Sequence, residues 1–259
     1  MIFATETTFA RQVLRAALPA LVCFGARACP GRQAMAPALE RAAAARAGEL
    51  LVATVLVDRA PLLAEQVGVV ASPTLMVFHH GERQGQVVGF LAEGLVGLLA
   101  DDILAGAVAG DCFWSPVEER FEDAVLLPML QCWGFAVQRQ APCAIAGKGG
   151  PQRGRIDLLV SDGEDGPLTL VESKRQIRGD QELRQAAAQA AGYARSLGLP
   201  SFVVAAPRGL WIYRRDGERA ACVRHISSLE LHQAPDQPRQ LLLQLRARGP
   251  QGSGPPGHA

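Results

Sequence analysis

The sequence predicts an α/β protein with two domains in tandem, and three observations carry that prediction. Short apolar runs alternate with Ala- and Arg-rich helical stretches over residues 1–108. The small-residue stretch Gly106–Cys112 then breaks the pattern and reads as a linker, centred on residues 109–112. Beyond it, over residues 113–248, apolar strands with isolated charges are combined with an acidic helix and a long Ala-rich one. A chain of 259 residues accommodates two domains of ordinary size, each able to bury a core.

The first domain can be read element by element. Leu18–Gly25 is a short apolar run of the kind that forms a buried parallel strand. Arg32–Ala47 reads as a helix, Leu50–Asp58 as a second buried strand and Pro61–Val67 as a helical turn. Thr74–His79 is a third strand, turned at Gly81-Glu82 into a fourth, Gln84–Phe90, and Leu91–Leu104 closes the domain as a helix. In the second domain Ser115-Pro116 has the form of a helix start, with Ser as N-cap and Pro at the first position, and Gly134 ends that helix. Gly154–Val160 and Leu168–Lys174 form a hairpin across the Gly/Asp-rich turn Ser161–Pro167. The Gly- and Pro-rich tail 249–259 cannot bury anything and is expected to be disordered.

Composition excludes several classes. At 49% hydrophobic and 20% charged, with mean hydropathy +0.11, the chain is not mostly disordered. Its net charge of +1 speaks against a strongly basic nucleic-acid coat while leaving room for a local basic groove. No apolar run reaches the roughly 18 residues of a membrane span. The N-terminus has no signal-peptide pattern, so a cytoplasmic location without membrane contact is expected. The six cysteines (Cys23, Cys29, Cys112, Cys132, Cys143, Cys222) form no CxxC, which argues against a zinc site.

One compositional bias is more informative. Of 26 basic residues only Lys148 and Lys174 are lysine; 24 are arginine. Lys148 lies in a Gly-Lys-Gly-Gly loop, but Lys174 follows an apolar run, where a compact, tunable ammonium is the group that arginine cannot replace. Glu172 and Lys174 are two apart on a strand and so share a face. Charged side chains in such a place need partners or a purpose. With Asp157 on the neighbouring strand they make two carboxylates and an ammonium. Two carboxylates can hold a hard cation such as Mg²⁺, and a lysine can orient a water and offset negative charge, which is the equipment of phosphodiester hydrolysis.

Two resemblances sharpen this reading. The segment Val22-Cys-Phe-Gly-Ala-Arg-Ala-Cys29-Pro-Gly-Arg32, with Pro37 at a helix kink, Ser72-Pro73-Thr74 and Gly81, resembles the thioredoxin family over nearly all of residues 1–108. The resemblance implies a thioredoxin-like α/β sandwich with Cys29 at the redox turn and Ser72-Pro73 as a cis-proline loop. Arg32 stands where the family's resolving cysteine would be, Ala28 replaces its tryptophan, and Cys23 its buried aspartate. Dithiol exchange needs that second thiol, so a degenerate, non-redox domain used for docking or self-association is implied, with Cys29 as a residual thiol.

The pattern Asp157, fourteen intervening residues, then Glu172-Ser-Lys174 resembles the PD-(D/E)XK nuclease superfamily. The leading helix from Val117-Glu118 to Trp133 and the later helix with Gln189-x-x-x-Tyr193 resemble the nuclease domain of type I restriction motor subunits, over about residues 115–215. Ile156 stands where the superfamily's name has proline. The resemblance implies a restriction-endonuclease-like α/β domain with Asp157, Glu172 and Glu118 as metal ligands, Glu119 or Glu122 being substitutes for the last. Lys174 would be the catalytic lysine, and Gln189 and Tyr193 would line the site toward phosphate. Arg155, Arg175 and Arg178, with Arg153 and Arg184, would neutralise substrate phosphates; a solvated charged surface is the alternative. The sequence discloses no base-reading helix and no aromatic stacking pair. The function expected is thus a Mg²⁺-dependent endonuclease, with Mn²⁺ as a substitute, acting on DNA in preference to RNA in defence or repair. A scaffold with both domains degenerate, or a monothiol oxidoreductase through Cys29, are the alternatives. No Walker-type motif accompanies the nuclease pattern.

Overall fold

The structure, a computed structural model, describes residues 1–109, 112–147, 150–163 and 166–247. Lys148, the tail 249–259, and Gly110 and Asp111 of the expected linker lie outside the described residues. Internal contacts divide the chain into two compact units, Met1–Val125 and Leu126–Ala259. No helix among the described residues is long and apolar enough to cross a membrane.

The first unit runs β1 (Ile2–Phe3), a π-helical turn (Ala10–Leu14), β2 (Ala20–Gly25), α1 (Pro30–Ala45), β3 (Leu51–Leu56) and α2 (Pro61–Gln66). It continues through β4 (Thr74–His79), β5 (Glu82–Val88), α3 (Glu93–Leu104) and β6 (Cys112–Phe113). The sheet order is β1-β3-β2-β4-β5-β6. β2 pairs in parallel with β3 and antiparallel with β4. All six residues of β2 are buried, which is why the strand reads as an unbroken apolar run. On one face Phe9, Phe24 and Phe78 meet at centroid distances of 5.5–6.5 Å within a cluster that includes Val22, Val55 and Met76. Helices α1 and α3 pack on each other, burying Met35, Leu39, Leu95 and Leu99.

Two details depart from the sequence expectation. The β4–β5 hairpin turns at His80-Gly81, one residue earlier than expected. Both have positive φ, 52° and 82°, the combination a two-residue hairpin matching strand twist requires. The acidic helix does not start at Ser115. The Trp114 N–H donates to Gln86 O at 3.1 Å, prolonging the β5–β6 pairing, and the chain stays extended to Val117. α4 (Glu118–Phe121) follows, then a π-helical turn (Glu122–Leu126) and α5 (Leu127–Cys132). Pro128 lacks the N–H that an uninterrupted α-helix would use, and the π-turn lies in the turn before it. Asp102 ties the start of this segment to the first unit, accepting from Trp114 Nε1 at 2.8 Å and from Arg120.

The second unit continues from α5, closed by Gly134 at φ 80°, into β7 (Ala136–Gly147), β8 (Gly150–Ser161) and β9 (Pro167–Ser173). Then come α6 (Asp180–Ser196), β10 (Ser201–Ala206), β11 (Gly209–Asp216), β12 (Arg219–Ser227), α7 (Ser228–Gln233) and α8 (Gln237–Ala247). The sheet runs in the order β12-β11-β10-β9-β8-β7. α6 is the crossover between the parallel pair β9 and β10, and every other pairing is antiparallel. One face carries Leu170, Phe202, Ala190, Tyr193 and Ala194, the last three from α6. The other carries Val171, Val203, Leu210 and Ile212 beside Leu130 of α5 and Leu242 of α8. Ser227 and Glu230 form a reciprocal capping box at the start of α7.

The Phe9–Phe24–Phe78 cluster sets a stability expectation. Phe24→Ala removes a side chain with no exposure, and should cost about 3–5 kcal/mol in urea unfolding followed by circular dichroism.

Candidate functional site

Asp157 lies where β8 interrupts its pairing on both sides. The β7 partners run Arg139 with Leu158 and Ala141 with Ile156, passing over Asp157 and Gln140, and Gln140 has φ 48°. On the other side the β9 pairing begins only at Leu158 with Val171. Ile156 and Leu159 nonetheless both pack on the Leu170–Tyr193–Phe202 cluster, a spacing that strict strand alternation forbids. The strand is therefore kinked at Asp157.

Its side chain takes over the missing ladder bond. The Ser173 N–H donates to Asp157 Oδ2 at 2.8 Å, and the Ser173 hydroxyl donates to the same oxygen at 3.3 Å. One step past the last paired residues, the β8–β9 register sets Asp157 beside Glu172. Glu172 has 1% of its side chain exposed, and Lys174 Nζ donates to its Oε1 at 2.6 Å. A carboxylate so deeply buried needs a cation beside it to stay charged. The Lys174 side chain is 26% exposed, so its ammonium bridges the buried carboxylate and solvent. The Lys174 N–H donates to Ala205 O at 2.8 Å, which fixes the residue just beyond β9.

The structure thus brings together Asp157, Glu172 and Lys174. Ser173, fully buried, is a member that sequence reasoning passed over; its only signal was its place between Glu172 and Lys174. Among the described residues no group of three or more His, Cys, Asp or Glu is gathered to hold a metal ion. Two oxygen donors completed by water suit Mg²⁺ better than zinc.

The remaining expected residues stand as follows. Arg155, Arg175 and Arg178 are exposed; Arg178 donates to Gln176 Oε1 at 3.2 Å, and its N–H to Glu182 Oε2 at 2.7 Å. Gln189 is exposed on α6, whereas Tyr193 is 6% exposed within the core cluster. This corrects the expectation that the two line one surface together: the buried stripe of α6 runs through Ala186, Ala190, Tyr193 and Ala194 and leaves Gln189 outside it. Glu118 opens α4, in the first unit, and is half-buried.

In the first unit the turn Ala26–Cys29 joins β2 to α1. Cys29 is the N-cap residue of α1 and Pro30 its first residue. Facing it is the cis Ser72-Pro73 bond, and Pro73 lies so near Gly31 that a Cβ there would come within 3.1 Å of Pro73 Cδ. The Ser72 hydroxyl accepts from the Ala26 N–H at 2.9 Å. Arg32 folds back over the turn, donating from Nε to Ala26 O and from Nη2 to Arg27 O, each at 3.0 Å. A cysteine at the position of Arg32 would leave both carbonyls without these donors.

This setting tunes Cys29. Partial burial raises its pKa, but the Ser72 hydroxyl, the N–H groups of Arg32 and Gly31, and the Arg32 charge together outweigh that and hold the thiol below its ordinary range. Beneath it Cys23 has no exposure, and burial pushes its thiol up to about 12 despite the nearby Arg32 charge. Cys23, Cys29, Cys132, Cys143 and Cys222 are free thiols.

A buried parallel strand, a helix capped by a cysteine and a cis-proline loop opposite it together define a thioredoxin-fold domain. The thioredoxin family model matches residues 1–101, and the chain belongs to the thioredoxin family through this domain. Thioredoxin 1 of Synechococcus elongatus is 36% identical over 85 residues, which are 33% of this chain and 79% of that protein. Thioredoxin of Mycobacterium tuberculosis is 39% identical over 97 residues, 38% of this chain and 82% of that one. A probable thioredoxin-2 of Caenorhabditis elegans is 34% identical over 97 residues, covering 38% and 67%.

The thiol environment is directly measurable. Alkylation by iodoacetamide, mapped by mass spectrometry across pH, should label Cys29 at lower pH than Cys222, whose thiol is raised by burial. Ser72→Ala and Arg32→Ala should each move the Cys29 profile to higher pH, because each removes a group that favours the thiolate. Identical profiles in wild type and both variants would contradict this account.

Proposed function

We propose that the second unit is a metal-dependent nuclease that hydrolyses phosphodiester bonds, in DNA in preference to RNA, in defence against foreign DNA or in repair. The observation that carries this reading is the convergence of Asp157, Glu172 and Lys174 where β8 kinks beside the end of β9. Apart from the added strand β7 and the broken leading helix, the succession β8, β9, α6, β10, β11 also follows the order on which the restriction-endonuclease resemblance rests.

Asp157 and Glu172 would hold a Mg²⁺ ion, or Mn²⁺ in its place. When bound, such a cation polarises a phosphoryl oxygen and lowers the pKa of a water. Ser173 fixes the orientation of Asp157, so that the carboxylate does not have to be ordered during the reaction. Lys174 orients the attacking water and offsets the charge that grows on the phosphate. The exposed Arg155, Arg175 and Arg178 neutralise flanking phosphates, which makes binding fall as salt rises. Gln189, exposed on α6, would meet the phosphate as the resemblance implies. Glu118 is a third carboxylate assigned by resemblance alone, and Glu118→Gln reads out its part.

For the first unit we propose docking of a protein partner or self-association rather than disulfide exchange. What supports this is Arg32, which occupies the resolving position and braces the turn. A monothiol role for Cys29 is the second reading, favoured by its lowered pKa.

The test is incubation of the purified chain with plasmid, linear and single-stranded DNA and with RNA, in Mg²⁺ or Mn²⁺. Cleavage should stop in EDTA and fall about a hundredfold or more in Lys174→Ala. That variant strips a buried carboxylate of its cation, at a cost of about 3–5 kcal/mol, so Glu172→Gln is compared with it and folding is checked by circular dichroism. Cleavage undiminished in both folded variants would sink the nuclease assignment.

A further inference from the structure

The sheet face that carries Glu172 and Lys174 holds two stacked aromatic pairs, and α6 treats them differently. Phe202 and Tyr213 stack at 4.8 Å with planes 6° apart, within or against the cluster that α6 covers. Trp211 and His225 stack at 4.6 Å and 13°, with Trp211 half-buried and His225 exposed. α6 packs chiefly on β7, β9 and β10; the two strands bearing this second pair are contacted by the short α7, and His225 stays exposed beside it. His225 belongs to the edge strand β12 and is exposed, with one face of its imidazole stacked on Trp211 of β11.

Register places this pair in line with the site. Glu172 is opposite Val204, Val204 opposite Trp211, and Trp211 opposite His225. Paired residues project to the same face, so the row leads across the sheet from the buried carboxylate to the exposed ring. Three inter-strand steps make about 14 Å, or about four nucleotides of a stacked strand. The same end of the sheet carries exposed cations: Arg175 and Arg178 after β9, and Arg208 in the β10–β11 turn. Aromatic rings beside a basic track suit a single nucleic-acid strand, whose bases present open faces and whose backbone is anionic.

We infer that His225, backed by Trp211, is a stacking platform for a base of single-stranded DNA whose backbone runs past Arg208 and Arg175 to the Asp157–Glu172–Lys174 site. This rests on the nuclease reading of that site and adds the strand state of its substrate. The platform holds the strand in register with the carboxylates and takes no part in the chemistry. A duplex, with its base faces already stacked, gains nothing from it.

Binding tests this without cleavage. Fluorescence anisotropy of a short fluorescein-labelled DNA strand, and of the same sequence as a blunt duplex, is measured in EDTA with wild type, His225→Ala and His225→Phe. Wild type should prefer the single strand; His225→Ala should weaken that binding about tenfold with duplex binding unchanged, and His225→Phe should restore it. His225 is exposed on an edge strand, so folding survives the change, and Trp211→Phe is a second probe that keeps the ring stack. Unchanged single-strand affinity in His225→Ala, equal losses for strand and duplex, or no strand binding by wild type would each overturn the platform. The nuclease reading is decided separately by Lys174-dependent cleavage in Mg²⁺: cleavage with His225-independent binding discards the platform alone, and His225-dependent binding without cleavage keeps the platform and discards the nuclease.

Discussion

The burial of one carboxylate organises the second unit. Glu172 lies in the middle of a sheet with 1% of its side chain exposed, where a lone negative charge would be untenable. The Lys174 ammonium at 2.6 Å answers it, and it can do so because a two-residue offset on a strand returns to the same face. The intervening residue follows from the same geometry. Ser173 turns toward the neighbouring strand, and its N–H would be an unpaired buried donor where β8 kinks away. Asp157 fills that vacancy with a carboxylate oxygen, so the kink, the serine and both acids form one connected arrangement.

The first unit keeps the family geometry around its thiol turn. The helix start, the cis-proline loop and the buried strand are all in place around Cys29. What differs is the residue three positions on. Arg32 is longer than cysteine, reaches back over the turn and closes it by bonding two carbonyls. The same guanidinium adds to the Ser72 hydroxyl and the backbone N–H groups in favouring the Cys29 thiolate. Cys23 does not serve as a resolving thiol, since burial keeps it protonated throughout the ordinary range.

Much of this was legible in the residues, and the parts that were not have physical reasons. The strands β2, β3, β4 and β9 are buried runs whose apolar character is local, so they could be read directly. The helix start was misplaced because Ser115 and Pro116 carry a good local signal that a nonlocal bond, from the Trp114 N–H to Gln86 O, overrides. β7 offered no run to read: its described residues alternate poorly, and its left-handed Gln140 lies opposite the kink in its partner. Gln189 and Tyr193 were paired by helical spacing, yet spacing does not say where the edge of a buried stripe falls. The Trp211–His225 stack is invisible in sequence because fourteen positions separate its rings and only the β11–β12 register joins them.

The arginine bias gains its meaning from two basic residues with opposite demands, Arg32 and Lys174. Arg32 needs a planar fork, because it must reach Ala26 O and Arg27 O at once from different nitrogens. Lys174 needs the opposite: a small ammonium that fits beside Oε1 of a buried glutamate and still meets solvent. In a chain with 24 arginines and two lysines, each position has the cation whose shape its surroundings accept. An arginine at 174 would bring a broader, weakly hydrated group to Oε1 of the buried glutamate, and a lysine at 32 could satisfy the turn's carbonyls only from a single flexible point. Composition supplied the hint, and geometry supplies its cause.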